Sequence, residues 1–485
     1  MVTILVIIFA VGLILSAFIS LSFLISSVWE NEKRASIFGG LQFFGMLFSV
    51  ILFFVLNSLH FFDTGFGAVM LAFLVLLELS LIFIFYRKSD PNIKALEGTK
   101  GLIVSQVNQF DERDHVFSRN RSLPADSEQY KAYYKNHPEL EDLDAKRRLK
   151  GGPIGRPGSI DSPGADANIA AMLASLSLPN FLSSHDTYSP KPHFFVKEKV
   201  TSKKVQISPE EATIRIKGYA KALGASLVGT TKINPLWIYS HRGEIFNDNW
   251  EDWGEKIELN HTHAIVCAEE MKADMVGAAP HTPTSVESMM NYAKGAYITT
   301  QLAGFVSNLG YCATANHFRH YDGLMTPLAV DAGLGELGRL GYLITKKYGP
   351  RVRLSLVTTD LPLLQDKPVD IGVENFCRIC KKCAVCCPSN SIPHGDMTDD
   401  NGLLRWKLNA QTCFDYWGKV GTDCNVCMSV CPWSHADTFP HRFIKTLITR
   451  NRLSRRLFSK MDDIFYGKRP KLKPPAKWAG YGPWK

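Results

Sequence analysis

At 485 residues the chain is too long for one ordinary core, so two or three units are expected. Its formal net charge is +9, yet the excess is not spread along the sequence: it crowds the stretch from Arg442 to Lys473, where only Asp462 and Asp463 oppose it. Nine of the eleven cysteines fall between Cys377 and Cys431. That packing excludes a small secreted disulfide scaffold and reads as metal binding in a reducing compartment, or export after folding.

Three apolar runs open the chain, roughly Thr3–Val28, Ile37–Leu59 and Phe66–Tyr86. Each is near the ~20 residues a helix needs to cross hydrocarbon. No basic residue precedes the first run and two further runs follow it, so three spanning helices are expected rather than a cleaved signal peptide. Lys33 and Arg34 lie in the first connection, none lie in "HFFDTG", and Arg87, Lys88 and Lys94 follow the third run. By the charge bias of membrane loops, the large C-terminal part is expected on the cytoplasmic face. Glu78, inside the third run, is expected to sit protonated and paired between helices.

Residues 1–88 are thus read as a membrane anchor and 89–205 as an irregular cap or connector, whose glycine- and proline-rich "GGPIGRPGSIDSPGADAN" breaks any regular period. From Ser208 the pattern tightens. Ser208 and Glu211 stand at capping-box spacing before an apolar-faced helix, and "SLVGTT", "HAIVCAEEM" and "RVRLSLVTTDLP" read as strands. "SVESMMNYAKGAYITTQLAGFVSNLGY" reads as one long helix ended by Gly310. Strands and helices in alternation predict an α/β sandwich over 206–366.

The segment 367–440 carries the cysteines. Cys377, Cys380, Cys383 and Cys387-Pro388 follow the C-x2-C-x2-C-x3-C-P spacing of bacterial ferredoxins, in which the fourth thiolate crosses to another cluster. Cys413, Cys424, Cys427 and Cys431-Pro432 form a second, stretched set. With the crossover, one [4Fe–4S] cluster takes Cys377, Cys380, Cys383 and Cys431, and the other takes Cys387, Cys413, Cys424 and Cys427. A structural zinc site needs only two pairs and has no use for two interleaved sets. Cys386 is out of register, and Cys267 and Cys312 are expected to pack as small buried hydrophobes. The basic tail, 441–485, has an anionic lipid surface as its nearest partner; a solvated end is the other reading, and nucleic acid is not expected.

"AIVCAEEM", "AAPHTPTSVESMMNYAKGAYITTQLAGFVSNLGY" and "DAGLGELGRLGYLITKKYGPRVRLSLVTTDLPLLQDKPVDIGVENFC" resemble the reductive dehalogenases, from about Ser208 to His435. The resemblance implies a nitroreductase-like α/β domain binding base-off cobalamin, followed by a ferredoxin-like module with two [4Fe–4S] clusters. It implies an organohalide substrate, and an electron donor that is a quinol, a ferredoxin or a flavodoxin. It implies a tyrosine proton donor at Tyr292, with Tyr297 as fallback, and a basic partner at Arg353, with Arg351 second. The members' separate three-helix anchor and twin-arginine signal are replaced here by spans fused in front, and "WENEKR" is similar to that anchor's paired glutamates. Two other functions stay open: an epoxyqueuosine reductase-like cobalamin enzyme acting on tRNA, and a non-catalytic membrane electron-transfer subunit.

Overall fold

A computed structural model of the chain describes residues 2–121, 126–150, 165–183, 200–244, 252–318, 320–469 and 472–480. The fold separates into two units. One comprises Met1–Pro91, Ile371–Cys380 and His435–Lys473, and the other Asn92–Asp370, Lys381–Ser434 and Pro474–Lys485.

In the first unit, helices Val2–Trp29, Lys33–Ser58 and Gly65–Tyr86 are each long and apolar enough to cross a membrane. Their outward faces are dominated by Ile, Leu, Phe and Val, a surface that needs lipid rather than water. Thr64 caps the third helix, its hydroxyl accepting from the Gly67 amide at 3.1 Å. Gly12 leaves room on the first helix for the Glu78 carboxyl, and any side chain there would collide with it. Glu78 therefore faces a neighbouring helix, as expected of a carboxyl in this position. Two helices, Phe439–Arg450 and Arg452–Phe465, fill the stretch that the sequence offered as a tail. They pack on the spans: Phe465 meets Phe23 edge-on at 5.1 Å, and Asn451 Nδ2 donates to the Phe85 carbonyl at 2.9 Å. Asn451 also caps the second of them, accepting from the Ser454 amide at 2.8 Å.

The second unit is built on a four-stranded sheet in the order Leu227–Lys232, His263–Glu270, Val352–Thr359, Ala313–Asn316, every neighbour antiparallel. Side chains alternate across it. Ile265, Cys267 and Val357 pack under helices Pro209–Ala222 and Thr282–Asn308 with Ile216, Ile298, Leu302 and Val306. Ala264, Val266, Ala268 and Leu356 face the other way, against Trp237, Leu328 and Tyr348. Both faces are covered, which is why His263–Glu270 reads as a continuous apolar run instead of alternating. Ser208 caps the first helix as its spacing predicts, accepting from the Glu211 amide at 3.2 Å.

The expectation of an irregular connector over 89–205 needs correction. Helices Glu128–Asn136, Pro138–Lys150 and Ala165–Ser183 occupy much of it. Ser127 starts the first by capping the Tyr130 amide, and Tyr133, Tyr134 and Trp253 form a small aromatic core. Buried Asp144 is held by Arg119 Nε at 2.7 Å and Arg147 Nη1 at 3.0 Å. The Arg119 pairing and the Trp253 packing, distant in sequence, supply stability that local propensity did not display. Residues 151–164 of the glycine-rich loop lie outside the described residues. Cys267 is fully buried as expected, whereas Cys312 is exposed beyond the last turn of the long helix, where no core packs against it.

Candidate active site and cluster ligands

Every member of the first constellation belongs to the sheet unit. The long helix Thr282–Asn308 places Ser285, Ser288 and Tyr292 on one face, three and then four residues apart. Strand Val352–Thr359 brings Arg353 up to that face. The Arg353 guanidinium lies over the Tyr292 ring, 5.1 Å from its centroid, and donates from Nη2 to Ser288 Oγ at 2.6 Å and Asp423 Oδ2 at 2.9 Å. Asp423 accepts further from Ser285 Oγ at 2.6 Å and Ser288 Oγ at 2.5 Å. Such a carboxylate is fully committed. It anchors the arginine through Nη2 by a charge-assisted bond and holds the guanidinium against the tyrosine ring.

The far side of the Tyr292 ring stacks on Phe318, with centroids 4.3 Å apart. Both pack with Met172 and Leu176 of the connector helix Ala165–Ser183, so the connector walls this region. Burial pushes Tyr321 well above the ordinary phenol range, and Tyr292 and Glu244 add to the shift. Burial also pushes up Tyr342, where the Cys427 and Cys413 sulfurs raise it further and Arg353 opposes them. Burial works against the charge on Arg353, but Tyr292, Asp423 and Tyr342 outweigh it and hold the guanidinium above its ordinary value. Among the described residues, Arg353 Nε is buried without a hydrogen-bond partner. An unsatisfied buried donor beside a phenol fits a site that receives a polar ligand atom.

Tyr297, five residues along the same helix, is 43% exposed. Arg351 is buried on structural duty, donating from Nε to the Ser434 carbonyl at 2.6 Å and from Nη1 to Glu270 at 3.3 Å. The structure thus brings Tyr292 and Arg353 together and leaves the fallback pair apart. Asp423, Ser288, Phe318 and Tyr342 escaped sequence reasoning. One signal was present, a carboxylate immediately before a candidate ligand cysteine.

Cys387, Cys413, Cys424 and Cys427 are electrostatic neighbours of one another in this unit. Burial first, then the surrounding sulfurs, pushes Cys424 up to about 12, Cys413 up to about 11 and Cys427 well above the thiol range. Cys387 is the exception: burial raises it, but Ser389 Oγ at 3.4 Å and the Ser391 amide at 3.3 Å bring it below its ordinary value. Cys424 and Asn425 both have positive φ, +62° and +56°, in a tight turn that Cys427 follows. Three crowded sulfurs that resist ionisation, beside a fourth that yields its proton readily, fit a cationic iron centre, which is what deprotonates such a set. Of the other set, Cys383 and Cys431 lie in this unit, whereas Cys377 and Cys380 lie on helix Val373–Cys380 of the first unit.

No protein-family model matches the chain. It is 32% identical over 290 residues to the tetrachloroethene reductive dehalogenase of Sulfurospirillum multivorans, a match covering 53% of this chain and 58% of that relative. Against the tetrachloroethene reductive dehalogenase of Dehalobacter restrictus it is 32% identical over 277 residues, covering 48% and 50%. Over these stretches the chain is similar to tetrachloroethene reductive dehalogenases. It spans between half and three-fifths of the length of these relatives. The catabolic reductive dehalogenase NpRdhA, solved in complex with 3-bromo-4-hydroxybenzoic acid, aligns over 81% of this chain and 50% of its own at a TM-score of 0.61 and 24% identity, a likeness of fold.

Proposed function

We propose that the chain is a membrane-bound reductive dehalogenase that removes halide from an organohalide, with Tyr292 as proton donor. One observation carries the reading: Arg353 lies over the Tyr292 ring and is ion-paired to Asp423, the residue before cluster ligand Cys424. Proton donor and electron source are thereby tied to one short stretch of chain. A solved reductive dehalogenase of similar fold suggests a mechanism for B12-dependent dehalogenation, and the constellation around Arg353 suits a base-off cobalamin in a nitroreductase-like domain. When bound, the corrinoid supplies the reducing cobalt for carbon–halogen cleavage, fed by two [4Fe–4S] clusters of a ferredoxin-like module.

The remaining work falls to side chains. Replacing halogen by hydrogen takes two electrons and one proton and releases halide. The Tyr292 hydroxyl gives that proton to the substrate carbon. A free phenol has a pKa of about 10, so it is a poor acid until a cation stabilises its phenolate. Arg353 does this by charge and hydrogen bonding, since a guanidinium does not itself give up a proton. Asp423 and Ser288 keep the fork aimed, and Phe318 with the connector helix excludes water from the phenol. The domain boundaries proposed from the sequence, the cytoplasmic face for the catalytic part, and a quinol, ferredoxin or flavodoxin as electron donor belong to the same reading.

The test is composition and turnover of anaerobically purified protein. About eight iron and one cobalamin per chain are expected, with halide released from halogenated ethenes or phenols. Iron without cobalt would leave an electron-transfer subunit, and turnover of modified tRNA alone would overturn the reading.

A further inference from the structure

Outside the reaction centre, the first unit gathers a second set of donors that the proposed chemistry does not use. Glu30 closes the first span, in the turn before the second. His435 and His441 lie at the start of the C-terminal helices. One donor atom from each comes within 4.8 Å of the others. We propose that Glu30, His435 and His441 bind a divalent transition ion of the zinc type, which clips the turn between the first two spans to the C-terminal helix pair.

The geometry argues for an ion over a plain salt bridge. Glu30 Oε1 stands 3.3 Å from His441 Nδ1. Two ligands on ~2.1 Å bonds at a tetrahedral angle are roughly 3.4 Å apart, so this pair already spans one edge of a coordination shell. The outer partners also match. A metal-bound imidazole usually gives its second nitrogen to a carboxylate or other acceptor, which fixes the ring. His435 Nε2 meets Asp462 Oδ1 at 2.6 Å, and His441 Nε2 meets the Tyr466 hydroxyl at 2.9 Å. The two imidazoles lie face to face, 4.8 Å apart and 9° from parallel. Nearby, Lys473 pairs with Glu32 at 2.7 Å. The Thr438 hydroxyl, 2.8 Å from His441 Nδ1, yields to the ion by rotating about its Cα–Cβ bond. Two imidazoles and one carboxylate are the donor set of many zinc and iron sites, and zinc is the ion that tolerates three protein ligands plus a water.

Zinc is foreign to both the clusters and the corrinoid, so its measurement is independent of the dehalogenase reading. Detergent-purified full-length protein, incubated with one equivalent of zinc and desalted, is expected to retain about one zinc per chain at unchanged iron. Glu30→Gln and His441→Gln should each lose it, and Asp462→Asn should weaken retention against a chromophoric chelator by about 10–100-fold. Glu30→Gln keeps the size and hydrogen bonding of the side chain, so it decides the matter should His441→Gln not fold. Zinc bound equally by wild type and Glu30→Gln, or by neither, would overturn the site.

Discussion

Arg351 and Arg353 lie two residues apart on the same stretch of chain, yet they have opposite employment. Arg351, with 1% of its side chain exposed, gives its donors to the Ser434 and Met271 carbonyls and to Glu270. Each bond ends on backbone or on a partly exposed acid, so its charge is used to hold loops against the sheet. Arg353 meets a buried carboxylate on one edge, a tyrosine ring on its face, and has an Nε without a partner. A cation whose bonds end on backbone and a part-exposed acid holds loops in place; one set between a buried carboxylate and a phenol ring can respond to a change of charge beside it. The contrast separates scaffold from chemistry within a single strand.

The largest effect should come from the phenol. Tyr292→Phe removes the proton donor while keeping the ring on Phe318, and turnover is expected to fall about 10²–10⁴-fold with cluster content intact. Tyr297→Phe, on the exposed face, should leave the rate unchanged; a loss there and none at Tyr292 would reverse the assignment. Next comes the fork. Arg353→Leu is expected to lower kcat by about 10²-fold. Arg353→Lys keeps the charge without the planar guanidinium face and should recover part of that loss. Arg351→Leu should break the comparison from the other side. It leaves the buried Ser434 and Met271 carbonyls unpaired at a cost of about 1–3 kcal/mol each, so thermal stability drops while kcat of the folded fraction stays near wild type. Equal kcat losses at both arginines would mean that neither is special.

How much of this the sequence could tell depended on whether the signal was local. The spans, the long helix, three of the four strands and the cysteine registers all rest on spacing within a short window, and all are visible there. The fourth strand, Ala313–Asn316, is short and gains its place only by pairing with Val352–Thr359. The first two connector helices are polar and are held by Arg119–Asp144 and Arg147–Asp415, contacts that no window contains. The same limit applies to the site. Tyr292 and Arg353 came from resemblance alone. Asp423, which holds the arginine, is distant in sequence from both and was hidden by its conspicuous neighbour, a candidate ligand cysteine.

The smallest effect concerns the strand facing the two arginines. Glu270 answers Arg351, whereas Glu269, opposite Arg353 in register, turns its carboxyl to the other face beneath Gly295. Burial pushes it up to about 8, only partly offset by Lys294 and by Ser355, whose hydroxyl is 3.3 Å away. The folded pKa then exceeds the unfolded value of about 4.3. The native state holds the proton longer, so stability contributed by neutral Glu269 is present below the unfolded pKa and is lost as pH rises through about 8. Glu269→Gln, permanently neutral, should flatten the decline in melting temperature between about pH 4.5 and pH 8, and leave the region below pH 4 little changed. Buried Glu112, also pushed up to about 8, keeps a residual slope in that variant, so flattening should be partial. An unaltered slope would mean that Glu269 ionises freely in the fold, and that the strand's two acids are equivalent where its two arginines are not.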